Sequence, residues 1–253
     1  MAKAQKTSWE PVAGWYDELL AGDDTYQAKV ILPNLLRLVP PKGRIIDIAC
    51  GQGFFSHAYA EAGADALGID ISPELIERAR KGASRAHFSV ASASRIGAED
   101  DSFDAGFIVL AIQNIEDMQG TFKEAARVLK KDGVLAVVLN HPSFRIPKAS
   151  AWGYDEKAQV QYRRIERYGI PFSVKIDMTP GAKAGKEKVH TVSFHRPLQE
   201  YVKALAKAGF VITGLEEWTS HKKSERGVRA AAEDAARKEF PLFLALIARS
   251  MGL

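Results

Sequence analysis

From residue 45 onward the chain alternates short, densely apolar runs with longer amphipathic stretches. The apolar runs cover residues 45–48, 66–69, 86–90, 103–110 and 134–139, and their length and β-branched or aromatic content predict strands. Between them, residues 54–62 place Phe55, Tyr59 and Ala62 at helical spacing before Gly63, and residues 122–129 repeat the pattern before Lys130 and Lys131. Ser72 and Pro73 suit the cap and first position of a further helix. Strand–helix alternation of this kind predicts a parallel sheet covered by helices on both faces, and the unbroken apolar run 134–139 predicts a strand buried on both sides. Upstream, residues 25–39 carry Val30, Ile31, Leu35, Leu36 and Leu38 on one broad stripe, a helix that Pro33 either kinks or starts late. Pro40-Pro41-Lys42-Gly43 ends it.

Beyond residue 140 the pattern changes. Residues 141–147 leave the sheet as a loop, and residues 154–168 fit a helix or extended chain equally. Residues 172–178 and 189–194 alternate apolar and polar positions around a polar stretch, which predicts a β-hairpin arm. A helix at 197–209, a strand at 210–218, a polar helix at 227–239 and a last strand at 242–248 close the chain.

The first strand runs into Arg44-Ile45-Ile46-Asp47-Ile48-Ala49-Cys50-Gly51-Gln52-Gly53-Phe54-Phe55-Ser56. An acid, a turn with two glycines and a helix start follow one another. Glycine lets backbone approach a ligand closely, and the helix start presents free N–H groups. A second strand ends in Asp70, nineteen residues beyond Gly51, the spacing of a ribose-binding carboxylate. A dinucleotide dehydrogenase would carry a third glycine where this chain has Ser56, and Phe54 and Phe55 would crowd a pyrophosphate.

The stretch instead resembles motif I of the class I S-adenosylmethionine (SAM) methyltransferases. Three further segments are similar to that family in the same order: Ser102-Phe103-Asp104, Arg127-Val128-Leu129-Lys130-Lys131-Asp132-Gly133, and the ending from Arg196 through Tyr201 to Ala208-Gly209-Phe210. Trp15-Tyr16-Asp17 resembles a segment that helps cover the cofactor. The resemblance implies a Rossmann-like, seven-stranded, mostly parallel sheet with helices on both faces, whose last strand is antiparallel between strands five and six; the β-hairpin read above is an insertion after strand five. It implies SAM as cofactor, with Tyr16 over it and Ala49, Gly51 and Gly53 against the methionine part, whose ammonium Asp47 attracts. Asp70 would take the ribose hydroxyls, Ile71, Ser92 and Ala93 the adenine, and Leu110 and Gln113 the space beneath. Ser92 stands where the family usually has an acid, and a hydroxyl accepts a hydrogen bond less strongly than a carboxylate.

One domain is expected over residues 1–253: a helical cover (1–40), a SAM-binding core (41–140), an acceptor arm (141–196) and a C-terminal part completing the sheet (197–253). The expected reaction is methyl transfer to a small-molecule acceptor. His141 and His195 are the candidate bases, as histidine titrates near neutral pH. His141 leaves the carboxyl edge of strand five, and strand alternation puts His190 and His195 on opposite faces. Arg163 and Arg164 would suit an acidic acceptor.

Charge and composition narrow the field. A net charge of +4 falls short of a dedicated nucleic-acid binder. Lys183, Lys186, Lys188, Lys222, Lys223, Arg226 and Arg229 nevertheless keep an RNA methyltransferase as one alternative, and a non-catalytic SAM-binding regulatory domain is another. The hairpin could also serve a homodimer. The lone cysteine, Cys50, excludes an internal disulfide. The polar first ten residues and the absence of an apolar run near the roughly 20 residues of a membrane span lead to the expectation of a cytoplasmic protein without a membrane partner.

Overall fold

A computed structural model describes residue 22, residues 24–177 and residues 190–252 of the chain. Tyr16, the tryptophans beside it and the lysine-bearing turn of the predicted hairpin lie outside the described residues.

The first described helix shows what Pro33 does. A π-helical turn, Gln27–Ile31, runs directly into helix α1, Leu32–Leu38, with the proline in its first turn. Proline has no N–H to donate to a preceding carbonyl, and the wider π turn takes up the change of register. The Asn34 side chain donates to the Val30 carbonyl at 2.9 Å. Tyr59 then fixes the end of α1, its buried hydroxyl placed 3.0 Å from the Leu35 carbonyl and 2.7 Å from that of Val39.

The core follows in strict alternation: β1 (Arg44–Ile48), α2 (Phe54–Glu61), β2 (Asp65–Asp70), α3 (Pro73–Arg80), β3 (His87–Val90), β4 (Phe103–Val109), α4 (Met118–Val128) and β5 (Leu129–Asn140). Ser72 caps α3, accepting from the Leu75 amide, with Pro73 in the first turn. α4 begins earlier than its apolar spacing predicts, because Asp117 caps it through the Gly120 amide. β5 starts ahead of its apolar run, turning through Asp132 at φ 64°.

Two hairpins, not one, follow β5. The first pairs β6 (Ser150–Asp155) with β7 (Val160–Ile165), settling as extended chain the segment that fitted either structure. The second pairs β8 (Phe172–Asp177) with β9 (His190–His195), as the alternation predicts. Helix α5 (Leu198–Lys207), β10 (Phe210–Trp218), α6 (Ala230–Glu239) and β11 (Phe243–Ser250) complete the described chain.

The seven-stranded sheet has the order β10-β11-β5-β4-β1-β2-β3, with β11 antiparallel to both neighbours and the remaining pairs parallel. This is the expected arrangement, and hydrophobic cores lie on both faces. The motif segments outside the glycine turn are structural pins. Asp104 accepts from the Arg44 amide at 2.8 Å and from Lys130 at 2.6 Å, tying the lower ends of β1, β4 and β5 together. Arg127 binds Glu124, Asp100 and the carbonyls of Ile96 and Ala98. Chain order reverses between β1 and β4, so a crevice opens at their carboxyl ends, where open α/β sheets bind ligands.

Candidate functional site

Asp47, one residue before the end of β1, and Asp70, at the end of the neighbouring β2, are both buried, at 2% and 9% exposure. Ser56, on the first turn of α2, donates its hydroxyl to Asp47 at 2.6 Å. Burial pushes the Asp47 carboxyl up to about 7, opposed by that hydrogen bond and reinforced by the nearby Asp70 charge. Asp70 is also raised by burial, against hydrogen bonds from backbone amides. Its two oxygens accept from Gly51 at 3.0 Å and Ser72 at 2.9 Å, and each keeps a second lone pair for a ligand hydroxyl. Two carboxyl groups thus stand in a low-dielectric crevice without a cation bound to them among the described residues, which is where a ligand's positive charge and hydroxyl donors are most strongly attracted.

The turn between them is shaped for close approach. Ala49 at φ 61° and Leu110 at φ 53° hold left-handed backbone at the ends of β1 and β4, a strain that non-glycine residues adopt mostly where surrounding structure imposes it. A Cβ on Gly51 would meet no heavy atom within 4 Å, whereas one on Gly53 would stand 2.7 Å from the Phe88 ring. Gly51 therefore faces open space and Gly53 faces packed core. Further signs of a missing partner surround this space. Gln52 Oε1 and Gln113 Oε1 are buried without a hydrogen-bond partner among the described residues, and Gln113 spends its amide N–H on the Leu110 carbonyl at 2.7 Å. Ile71 is 44% exposed just beyond Asp70. Ser92 and Ala93 follow β3 half-buried, with the Ser92 hydroxyl 3.2 Å from that of Ser94.

A model of the family described as "methyltransferase domain" matches residues 46–137, the span that holds this turn and both acids. The crystal structure of a SAM-dependent methyltransferase from Mesorhizobium loti superposes with a TM-score of 0.67 at 27% identity, covering 86% of this chain and 96% of that one. Residues 46–137 are a methyltransferase domain, and the chain has the fold of the SAM-dependent methyltransferases. Among curated relatives, a demethylmenaquinone methyltransferase of Renibacterium salmoninarum is 29% identical over 140 residues, covering 54% of this chain and 59% of the relative. A ubiquinone biosynthesis O-methyltransferase of Xanthomonas campestris is 32% identical over 104 residues, covering 39% of this chain and 44% of the relative. The chain therefore aligns with about half the length of these methyltransferases.

The cofactor of the family is SAM, and the crevice fits it: open space at Gly51, acids for an ammonium and for hydroxyls, and orphaned amide oxygens at the rim. Beyond the crevice, the two candidate histidines differ. His141 is buried with both ring nitrogens engaged: Nδ1 accepts from the Ser143 amide at 3.2 Å, and Nε2 therefore donates to Glu217 at 2.7 Å. Burial holds its pKa below the ordinary value. His195 is likewise buried and lowered by burial. Its Nε2 donates to the Tyr168 carbonyl at 2.8 Å, so in the neutral ring Nδ1 holds a lone pair. His190 lies on the exposed face of β9, as alternation requires. Arg196 pins the return of the arm to the turn after β4, donating to the carbonyls of Ile115 and Glu116 at 2.8 Å.

Two members of the site escape sequence reasoning. Ser56 marks a departure from the dehydrogenase pattern, but its bond to Asp47 depends on how α2 folds back over β1. Gln52 sits between two glycines with nothing to single it out. Among the described residues no cluster of His, Cys, Asp and Glu could hold a metal ion, and no helix is long and apolar enough to cross a membrane.

Proposed function

We propose that the protein transfers the methyl group of SAM to a small-molecule acceptor. The observation that carries this reading is the pair of desolvated carboxylates, Asp47 and Asp70, flanking a turn whose Gly51 faces open space. In this assignment Asp47, Ala49, Gly51 and Gly53 surround the methionine part. Asp70 takes the ribose hydroxyls, Ile71, Ser92 and Ala93 the adenine, and Leu110 with Gln113 the underside. The sulfonium supplies an electrophilic methyl. The chain's task is to bind, to align the nucleophile and to exclude water. Of the two histidines, His195 is the better base, since Nδ1 can accept a proton while Nε2 stays anchored.

Residues 1–40 are assigned as cover, 41–140 as cofactor core, 141–196 as acceptor arm and 197–253 as the part that completes the sheet. The placement of both hairpins supports the arm. Arg196 holds β9 against the turn after β4, while Trp152 of β6 packs edge-on against Phe240 at 5.5 Å. Relatives named for demethylmenaquinone and ubiquinone biosynthesis support a small acceptor. Two of the seven basic residues that the RNA alternative rests on are committed elsewhere: Lys222 binds Asp24, and Arg229 binds Glu156 while stacking on Tyr154 at 4.3 Å. A cytoplasmic location belongs to the same reading, in keeping with a single cysteine and so no internal disulfide.

Calorimetric titration with SAM and with S-adenosylhomocysteine tests the assignment. Asp70→Ala is expected to weaken both by about 1.5–3 kcal/mol, the scale of hydrogen bonds to a charged group. Unchanged affinity in that variant would remove Asp70 from the site.

A further inference from the structure

We propose that Arg145 and Arg163 form a carboxylate-recognition pair at the root of the arm, so that the methyl acceptor carries a carboxylate. The inference rests on the methyltransferase reading and adds the acceptor's chemical class. The sequence puts Arg163 and Arg164 next to each other, but neighbouring strand residues face opposite ways. Arg164 turns outward to Glu166 at 2.9 Å. Arg163 turns inward, donating Nε to the Phe144 carbonyl and Nη2 to the Ser150 hydroxyl, each at 2.8 Å, with its plane 4.9 Å from the Trp152 ring.

Its neighbour is a residue that no pattern marks. The chain leaving β5 closes a turn through the Arg145 amide and the His141 carbonyl at 2.8 Å. The Arg145 guanidinium then lies 5.7 Å from the Phe243 ring and donates to Asn140 Oδ1 at 2.7 Å. Asn140 and Phe243 are register partners at the carboxyl edge of β5 and the start of β11. That edge is two strands from β1, about 10 Å at the usual strand spacing.

Arg145 and Arg163 form no ion pair with a carboxylate among the described residues. The solvent-facing arginines Arg37, Arg44, Arg78, Arg164 and Arg229 all do. Burial lowers both guanidinium pKa values, and Arg163 lowers Arg145 further. Tyr26 is the titratable group that opposes the shift at Arg145. Two adjacent, partly desolvated cations with no counter-charge among the described residues are unfavourable alone and become favourable when an anion joins them. A guanidinium has five N–H donors; Arg145 spends one on Asn140, and Arg163 spends two. The remaining donors match a planar carboxylate.

The test uses the full chain saturated with S-adenosylhomocysteine, titrated with benzoate, with its neutral counterpart benzamide and with inorganic phosphate. Benzoate is expected to bind and to raise the melting temperature, while benzamide and phosphate do neither. Arg145→Gln and Arg163→Gln should each weaken benzoate by about tenfold or more, one charge-assisted hydrogen bond. Arg145→Lys should lose less than Arg145→Gln, and S-adenosylhomocysteine affinity should stay within about twofold throughout. Equal binding of benzoate and benzamide, preference for phosphate, or full benzoate affinity in a folded glutamine variant would overturn the pair. If Arg145→Gln does not fold, Arg163→Gln decides the question. Failure of the unaltered protein to bind S-adenosylhomocysteine would instead overturn the methyltransferase reading, and the first titration reveals it separately.

Discussion

Asp47→Asn is expected to stabilise the ligand-free protein at pH 8 while weakening its hold on SAM. The Asp47 carboxyl stands near 7 in the folded chain, against an ordinary value of 3.8. Between these two values the folded state holds a proton that the unfolded state has lost. Stability therefore falls as pH rises from about 4 to 7 and levels off above the folded value, for a total of roughly 4 kcal/mol. Asp70, raised in the same direction, adds to the slope. Asparagine carries no charge to desolvate and can still accept the Ser56 hydroxyl. The variant should lose most of this pH dependence and melt higher than the parent at pH 8, as urea titrations across pH would record. A variant with the parent's pH profile would show that Asp47 is not the group held near 7.

The two glycines of the turn should separate stability from binding. Gly53→Ala adds a Cβ at φ 85°, 2.7 Å from the Phe88 ring and 3.2 Å from Ala79 Cβ. Phe88 has little room to retreat, because its ring also fills the space above Gly68 and tilts against His57 at 5.0 Å. Left-handed strain of about 1–2 kcal/mol and overpacking of about 1–3 kcal/mol together predict a loss of about 2–5 kcal/mol in stability. Gly51→Ala carries similar backbone strain at φ 58° but meets no neighbour. It should cost only about 1–2 kcal/mol in stability while reducing S-adenosylhomocysteine affinity by about tenfold or more, since the methyl enters the crevice. The opposite order of effects would place the ligand elsewhere.

The sheet was legible because each strand is an apolar run bounded by glycine, proline or a cap, and because the acids and glycines lie close together in sequence. Asp47, Gly51, Gly53 and Asp70 stood out through their spacing together with the resemblance to motif I of the methyltransferases. The acceptor side could not. Residues 154–168 mix aromatic and charged side chains without a clear period, and only pairing with one another makes β6 and β7 strands. His141 looks like an exposed strand-end base until Glu217, distant in sequence, accepts a hydrogen bond from its Nε2. Arg145 follows no motif, and its company is fixed by the turn after β5. Arg163 and Arg164 read as a pair in sequence and are separated by strand alternation. Local pattern thus specifies the cofactor edge, while contacts across long sequence separations build the acceptor side.

The central claim is that the crevice at the ends of β1, β2 and β4 binds SAM, its ammonium beside Asp47. The most direct test is calorimetry with S-adenosylhomocysteine at pH 7 in two buffers of different ionisation enthalpy. A cation beside Asp47 lowers the carboxyl pKa, so the account predicts binding accompanied by proton release, a release that disappears in Asp47→Asn. Binding of NAD with no response to S-adenosylhomocysteine would contradict it.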